Sequence, residues 1–220
     1  MAGENGEKSS NLDYYHGAFP RTDLIELIPP GTRRILDVGC GVGKTGELLR
    51  EKGFEEIFGV EINVDAGEKA KPHYERVFIG DIQKDPLPFS KGFFDCILYG
   101  DVLEHLADPW SVLKGHKEIL DDHGIIICSI PNIRYYKVLK SLILEGRWEY
   151  VDLGILDRTH LRFFTLKTIE AMFQETGFEI KKLIKKKRCS TTLKFINRLV
   201  FNHLIDFLVL QYRIIGVKRS

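Results

Sequence analysis

The chain has 220 residues, 44% of them hydrophobic, which is enough for a single domain with a sizeable core. Its 32 basic and 31 acidic residues leave a formal charge of +1, so no global field draws nucleic acid or an anionic membrane, and partner choice has to be local. Cys40, Cys96, Cys128 and Cys189 lack the CxxC pairing of a zinc site, so free, mostly buried thiols in a reducing compartment are expected, with no metal.

The opening "MAGENGEKSSNLD" is polar and lacks the apolar core of a secretory signal; it reads as a flexible lead-in over 1–13, and a cytoplasmic protein is the default. Residues 14–32 read as an N-terminal helical cap, with a start signal at Asp23, apolar Leu24, Leu27 and Ile28 at helical spacing, and a stop at Pro29-Pro30-Gly31. "RRILDV" is then a strand closed by glycines, "TGELLREKG" a helix stopped by Gly53, "EIFGVEI" a second strand, and "AGEKAKPHYE" a helix damaged by Pro72. "RVFIGD" is a third strand.

The alternation continues through the strand "FFDCILYGD", the helix "PWSVLKGHKEIL" and the strand "GIIICSIP". Continuous apolar runs, as opposed to alternating ones, mark strands covered on both faces, so the pattern predicts a doubly wound, Rossmann-like α/β fold. Two further helices follow, "YYKVLKSLILEGRW" and "TLKTIEAMFQETGF", the second capped by Thr165 and stopped by Gly177. The chain closes with the strand "EIKKLIKKKR", a helical insertion over 189–211 and a last strand "YRIIGVK". Asn197, Arg198, Asn202, His203 and Asp206 interrupt the insertion too often for a bilayer-spanning helix.

The stretch "DVGCGVGKTGELL", Asp37 to Leu49, carries the ligand question. A phosphate-cradling P-loop ending in Gly43-Lys44-Thr45 needs a first glycine at position 38, which is Val38. A dinucleotide fingerprint does fit Gly41, Gly43 and Gly46, between a strand and a helix. Against it stands Asp37, whose carboxylate repels pyrophosphate and attracts an ammonium group. Glu61 ends the second strand, placed for ribose hydroxyls in either reading, and Asp81 follows the third, placed for an adenine amine. Three acids on one sheet edge favour S-adenosylmethionine, which carries an ammonium and a sulfonium but no phosphate.

Here the sequence resembles the class I S-adenosylmethionine-dependent methyltransferases. "ILDVGCGVGKTG", "GVEIN", "GDI", "FDCILYGDVLEHLADP" and "GIIICSIPN" match successive blocks of that family, and "HLRFFTLKTIEAMFQETGFEI" resembles the C-terminal block of its ubiquinone-methyltransferase-like branch, over about Tyr14 to Ile184. The resemblance implies a seven-stranded, mostly parallel sheet with an antiparallel last strand. It also implies that Gly39, Gly41 and Gly43 admit the methionine tail, with Asp37 on its ammonium; that Glu61 holds the ribose; and that Ile62, Asp81 and Ile82 surround the adenine. Tyr99, Gly100 and Asp101 would border the methionine tail and the methyl group. Lys44, if turned inward, would meet the cofactor carboxylate; a solvated first-turn lysine is the simpler reading.

Methyl transfer from a sulfonium needs alignment of the nucleophile and removal of its proton, so a base titrating near neutrality is sought. His105 in "DVLEHL" and His160 in "RTHLRFF" are the candidates, the second flanked by Arg158 and Arg162; His105 has an equally good structural role beside a helix start. Tyr14-Tyr15-His16 reads as closing over the site from the N-terminal side, and Tyr135-Tyr136 with Trp148 and Tyr150 as lining an acceptor pocket, with ordinary packing the alternative for both. From Lys181 to Arg198 there are eight basic residues and no acid, read as a solvated sheet edge or as a site for an anionic acceptor. The apolar insertion after it reads as packing, as a homodimer contact, or as a surface for a lipid-linked acceptor. The expected function is methylation of oxygen or nitrogen on a small molecule such as a sugar, quinone precursor or lipid-linked intermediate, with no nucleic-acid partner. An NAD(P)-dependent oxidoreductase and a non-catalytic S-adenosylmethionine-binding protein are the alternatives.

Overall fold

The computed structural model describes residues 19–188 and 204–219. Seven strands form one sheet: β1 (Arg34–Val38), β2 (Glu56–Glu61), β3 (Arg76–Ile79), β4 (Phe94–Gly100), β5 (Leu120–Pro131), β6 (Phe178–Lys187) and β7 (Val209–Lys218), in the order β3-β2-β1-β4-β5-β7-β6. β1 pairs in parallel with β2 and β4, β2 in parallel with β3, and β6 antiparallel with β7. This is the expected Rossmann-like, mostly parallel sheet with its last strand reversed.

The helices are α1 (Thr22–Ile25), α2 (Lys44–Glu51), α3 (Val64–Ala70), α4 (Pro109–Ile119), α5 (Tyr136–Glu145) and α6 (Leu166–Glu175). The fold divides into two compact units, one of residues 1–100 and 115–127, the other of 101–114 and 128–220.

In the first unit, β1 is buried from Ile35 to Val38 and β4 from Cys96 to Tyr99, so consecutive side chains pointing to opposite faces are all covered. Strands β2 and β3 lie to one side of β1 and β4 to the other, so successive crossovers leave β1 in opposite directions. Ligands of such sheets bind at that reversal, beyond the carboxyl ends of the strands.

Residues 14–18 of the expected N-terminal cap lie outside the described residues, and within the rest the helix is Thr22–Ile25. α1 is a single turn whose N-cap, Arg21, makes no side-chain capping bond, and the Asp23 carboxylate pairs with the Arg21 guanidinium at 3.0 Å. Pro72 acts as expected: α3 stops at Ala70 and the chain continues as a 3-10 turn, Lys71–His73, in which the proline takes an early position that needs no N–H donor.

In the second unit, α6 begins in a capping box: Thr165 Oγ1 accepts from the Thr168 N–H, and the Thr168 hydroxyl accepts from the Thr165 N–H. Gly177 ends the element in a left-handed conformation, φ 79°. β6 carries Lys181, Lys182, Lys185, Lys186 and Lys187 at the edge of the sheet, where lysine discourages pairing with a further strand. Part of the basic run is therefore a sheet edge, and Lys185 is ion-paired with Asp206 at 2.8 Å.

The insertion expected over 189–211 falls mainly on residues 189–203, outside the described set. Its end is corrected: a 3-10 turn at Ile205–Leu208 leads into β7, which begins at Val209, three residues before the expected "YRIIGVK". Val209 and Gln211 pair with Lys187 and Lys186, which extends the strand. Asn132, fully buried, donates from Nδ2 to the carbonyls of Asp206 and Val209, both at 2.8 Å, tying the residue after β5 to the start of β7. Cys40, Cys96 and Cys128 are buried; Cys189 lies outside the described residues. Among the described residues, no helix is long and apolar enough to cross a membrane.

Candidate functional site

In the first unit the loop after β1 is shaped by glycines in the left-handed region: Gly39 at φ 72°, Gly41 at 54° and Gly43 at 91°. Gly43 is also confined in space, since a Cβ there would lie 2.9 Å from Ala70 Cα and from the His73 ring. The Gly39 and Cys40 N–H groups both donate to the Val60 carbonyl, at 2.8 and 3.0 Å, which anchors the loop to β2.

Glu61, 3% exposed, holds the rest of the loop. Its Oε2 accepts from the Gly41 N–H at 2.8 Å and its Oε1 from the Asn63 N–H at 2.9 Å.

Asp37 is 5% exposed, beneath the loop. The Tyr74 phenol donates to its Oδ2 at 2.6 Å and in turn accepts the Gly46 N–H at 3.0 Å. Burial pushes the Asp37 carboxyl up to about 7, the nearby Glu61 charge adds to the rise, and the Tyr74 bond and the Arg21 charge oppose it. Gly46 has a local reason to be glycine: a Cβ there would stand 2.4 Å from the Tyr74 ring. The third glycine of the dinucleotide fingerprint is thus taken up by a tyrosine.

Other expected cofactor residues fare differently. Ile62 is 64% exposed just past β2, free to cover a flat ligand. Asp81 and Ile82 follow β3 in a turn in which Asp81 Oδ1 accepts from the Gln83 N–H at 3.0 Å and Oδ2 pairs with Lys84 at 3.1 Å. Those bonds hold its carboxyl below the usual range, the Gln83 N–H contributing most. Lys44 forms a surface pair with Glu47 at 3.3 Å, the solvated reading.

The Tyr99 side chain is fully buried, with Oη 2.6 Å from His116 Nδ1, so its backbone is the part that borders the strand end. Burial lowers His116 to about 4, so that imidazole is neutral. Gly100 beside it lies under Arg21, whose Cγ and Nη1 would be 3.2 Å from a Cβ at that position.

In the second unit Asp101 has φ 59°, the one described non-glycine residue in the left-handed region. Its Oδ1 accepts from the Ser129 hydroxyl at 2.8 Å and from Gln211 Nε2 at 2.5 Å, and its N–H donates to Ser129 Oγ at 2.9 Å. Neither Ser129 nor Gln211 carries a sequence signal for this role.

His105 and His160 lie 55 residues apart in sequence, and the fold brings their rings together, centroids 4.7 Å apart and edge to face. His105 ends the 3-10 turn Leu103–His105, and the Glu104 carbonyl accepts from the N–H groups of Leu161 and Arg162, at 2.9 and 3.0 Å. His160 Nδ1 lies 2.9 Å from the Ile155 carbonyl, and His105 Nδ1 lies 3.3 Å from the Thr159 carbonyl and 3.1 Å from its hydroxyl. A carbonyl can only accept, so both Nδ1 atoms carry the proton and both Nε2 atoms keep a lone pair. Burial, then the neighbouring His160, lower the pKa of His105, favouring the neutral base.

The arginines beside His160 are occupied. Arg158 pairs with Asp152 at 2.9 Å, and Arg162 donates to the Ala107 carbonyl through Nε at 2.9 Å and also through Nη2. Of the aromatic candidates, Tyr135 is buried and donates to the Arg188 carbonyl at 2.5 Å, packing edge to face on Tyr136. Trp148 packs on Phe163 and Tyr150 is half exposed; Tyr14, Tyr15 and His16 lie outside the described residues.

Comparison with known proteins places this geometry. A family model described as a methyltransferase domain matches residues 12–183. The ubiquinone biosynthesis O-methyltransferase of Cereibacter sphaeroides is 31% identical over 130 residues, 57% of this chain and 52% of that protein. Its namesake in Glaesserella parasuis is 26% identical over 163 residues, 69% of this chain and 67% of its own length. The chain spans about half the length of the first of these relatives. In fold it is similar to a SAM-dependent methyltransferase from Archaeoglobus fulgidus, with TM-score 0.65 and 20% identity over 98% of this chain and 95% of the other. It is also similar to a possible histamine N-methyltransferase from Thermotoga maritima, with TM-score 0.65 and 16% identity over 97% and 96%.

Proposed function

The chain belongs to the methyltransferase-domain family, and from that membership we propose that it transfers a methyl group from S-adenosylmethionine to an oxygen or nitrogen of a small-molecule acceptor. The observation that carries this reading is the pair of buried acids at the glycine loop: Glu61 holding the Gly41 N–H and Asp37 held by Tyr74. A loop backed by two buried carboxylates disfavours pyrophosphate and suits a ligand with an ammonium group and a ribose diol. Bound there, S-adenosylmethionine supplies a methyl group already activated on a sulfonium. Asp37 provides the counter-charge for the ammonium, Glu61 accepts from the ribose hydroxyls, and Ile62 covers the adenine.

Removal of the acceptor proton falls to an Nε2 lone pair of His160 or His105. The curated relatives are named as O-methyltransferases of ubiquinone biosynthesis, which supports a hydroxyl as the acceptor and a quinone precursor as the first class to try. Sugars and anionic or lipid-linked intermediates come next.

Calorimetry on the purified chain is expected to show binding of S-adenosylmethionine or its demethylated product, with NADH and NADPH silent. Tight nicotinamide binding with no response to S-adenosylmethionine would sink the reading. A screen of phenolic acceptors read by mass spectrometry for a gain of one methyl separates an enzyme from a binding protein.

A further inference from the structure

We propose that the stretch from Leu142 to Gly154, the end of α5 and the loop after it, is a contact surface for a second copy of this chain. Every residue in it is exposed, and its large apolar side chains are open to solvent: Ile143, Leu144 and Leu153 at 73%, Tyr150 at 51%, Val151 at 44% and Leu142 at 40%. Together these six residues expose on the order of 700 Å², above the roughly 300–600 Å² of the largest apolar patch on a typical monomer and close to the ~800 Å² that each partner gives to a standard interface.

The helix itself lacks the packing that would hold it. α5 runs from Tyr136 to Glu145 and buries none of its residues, although Val138, Leu139, Leu142, Ile143 and Leu144 are all aliphatic. Isolated helices shorter than about 12–15 residues are marginal in water, so a helix of this length takes its stability from an apolar face set against something else. The loop presents its side chains from a fixed frame. Gly146 ends α5 in a left-handed conformation, φ 64°, and the Arg147 N–H returns to the Ser141 carbonyl at 3.1 Å. Trp148 packs edge to face on Phe163, ring centroids 5.3 Å apart. The Val151 N–H donates to the Leu156 carbonyl at 2.9 Å and the Val151 carbonyl accepts from the Arg158 N–H at 3.0 Å, which closes the turn that carries Leu153. A surface ordered before contact loses less entropy on binding.

Charge decides between partners. Each acid of the stretch pairs with a base: Glu145 with Lys140 at 3.9 Å, Glu149 with Arg147 at 3.9 Å and Asp152 with Arg158 at 2.9 Å. The stretch and its paired bases are therefore neutral, with both signs side by side. An anionic lipid surface or a nucleic acid selects a net positive rim. A two-fold contact sets a surface against itself, and a patch that carries both signs can meet its own copy without opposing like charges. The inference does not depend on methyl transfer, and it places the contact on α5 and its loop instead of on the apolar insertion after β6.

The test is sedimentation velocity of the full chain over a micromolar concentration series without detergent. A reversible equilibrium between monomer and dimer is expected. Ile143→Glu and Leu153→Glu, both at side chains open to solvent and so of little effect on the fold, should each raise the dimer dissociation constant by about tenfold or more, and the double variant should sediment as a monomer. Circular dichroism checks the fold of each variant, and hydrogen exchange should show protection of residues 142–154 that grows with concentration. A parent chain that stays monomeric throughout overturns the proposal. So does a dimer that neither variant weakens, which would assign the contact to another surface. Protection of 142–154 that does not change with concentration overturns it as well, by showing that the chain's own residues cover the stretch. Binding of a monomeric parent to phosphatidylcholine vesicles, lost in I143E, overturns it in favour of a lipid surface.

Discussion

The phenol of Tyr74 stands between Asp37 and the glycine loop, donating to Asp37 Oδ2 at 2.6 Å and accepting from the Gly46 N–H at 3.0 Å. One hydroxyl therefore fixes both the carboxylate beneath the loop and the first turn of α2. Tyr74→Phe removes both bonds. The expected result is a drop in S-adenosylmethionine affinity of about tenfold to a hundredfold, in line with the loss of one hydrogen bond to a charged group, measured by calorimetry at pH 8. Unchanged affinity would mean that Asp37 is held by other contacts.

The raised pKa of Asp37 predicts how stability and binding depend on pH. Its carboxyl moves from 3.8 to about 7 through burial, so its contribution to the stability of the ligand-free fold is fully present below pH 3.8 and lost as pH rises through about 7. A ligand bearing an ammonium group favours the ionised form, so its affinity should rise over the same interval, with proton release near pH 7. Calorimetry in two buffers of different ionisation enthalpy reads that release. Asp37→Asn should abolish it and flatten the pH dependence.

Glu61→Gln keeps the size of the side chain and replaces one acceptor oxygen by an amide nitrogen. Both oxygens accept backbone N–H groups, from Gly41 and Asn63, so one of these bonds becomes a donor facing a donor. S-adenosylmethionine affinity is expected to fall by about tenfold to a hundredfold, and Glu61→Ala should reduce it further. Equilibrium dialysis with labelled cofactor checks both variants.

Gly46→Ala places a methyl group 2.4 Å from the Tyr74 ring. The ring has to move and its two hydrogen bonds go with it, so a loss of about 1–3 kcal/mol in urea denaturation is expected. A variant as stable as the parent would show that the ring has room to move.

Asp101 tests the cost of a left-handed residue with engaged oxygens. Asparagine tolerates φ near 59° and keeps an oxygen for Ser129 and Gln211, so Asp101→Asn should stay within about 0.5 kcal/mol of the parent. Alanine keeps the backbone strain and loses the acceptor, so Asp101→Ala should cost about 1–3 kcal/mol.

Local chemistry made part of this legible from sequence. Strand, glycines and acid followed one another closely enough at Asp37 to locate the loop, and Glu61 was placed by the end of the next apolar run. In the structure Glu61 accepts the Gly41 N–H, and its charge reaches Asp37, whose carboxyl it helps to raise. Asp81 was found, but its neighbours Gln83 and Lys84 claim its oxygens in a turn that spacing does not show. The direction of the Tyr99 side chain is not legible, because a strand covered on both faces gives no sign of which way an aromatic points, and His116, on a later helix, decides it. Tyr74, Arg21 and Gln211 come from distant segments with no pattern of their own, so only folding reveals them. The same holds for the meeting of His105 with His160.

β7 follows every other described element in chain order, and three internal bonds wait for it and the turn that leads into it: Asn132 Nδ2 onto the Asp206 and Val209 carbonyls, and Gln211 Nε2 onto Asp101. While the ribosome is still making the chain, a nascent segment that has not yet presented residues 206–211 holds an asparagine without those acceptors and an Asp101 short of one donor. The second unit therefore closes only once residues 206–211 have been presented, and until it does a strand edge stands open to other chains.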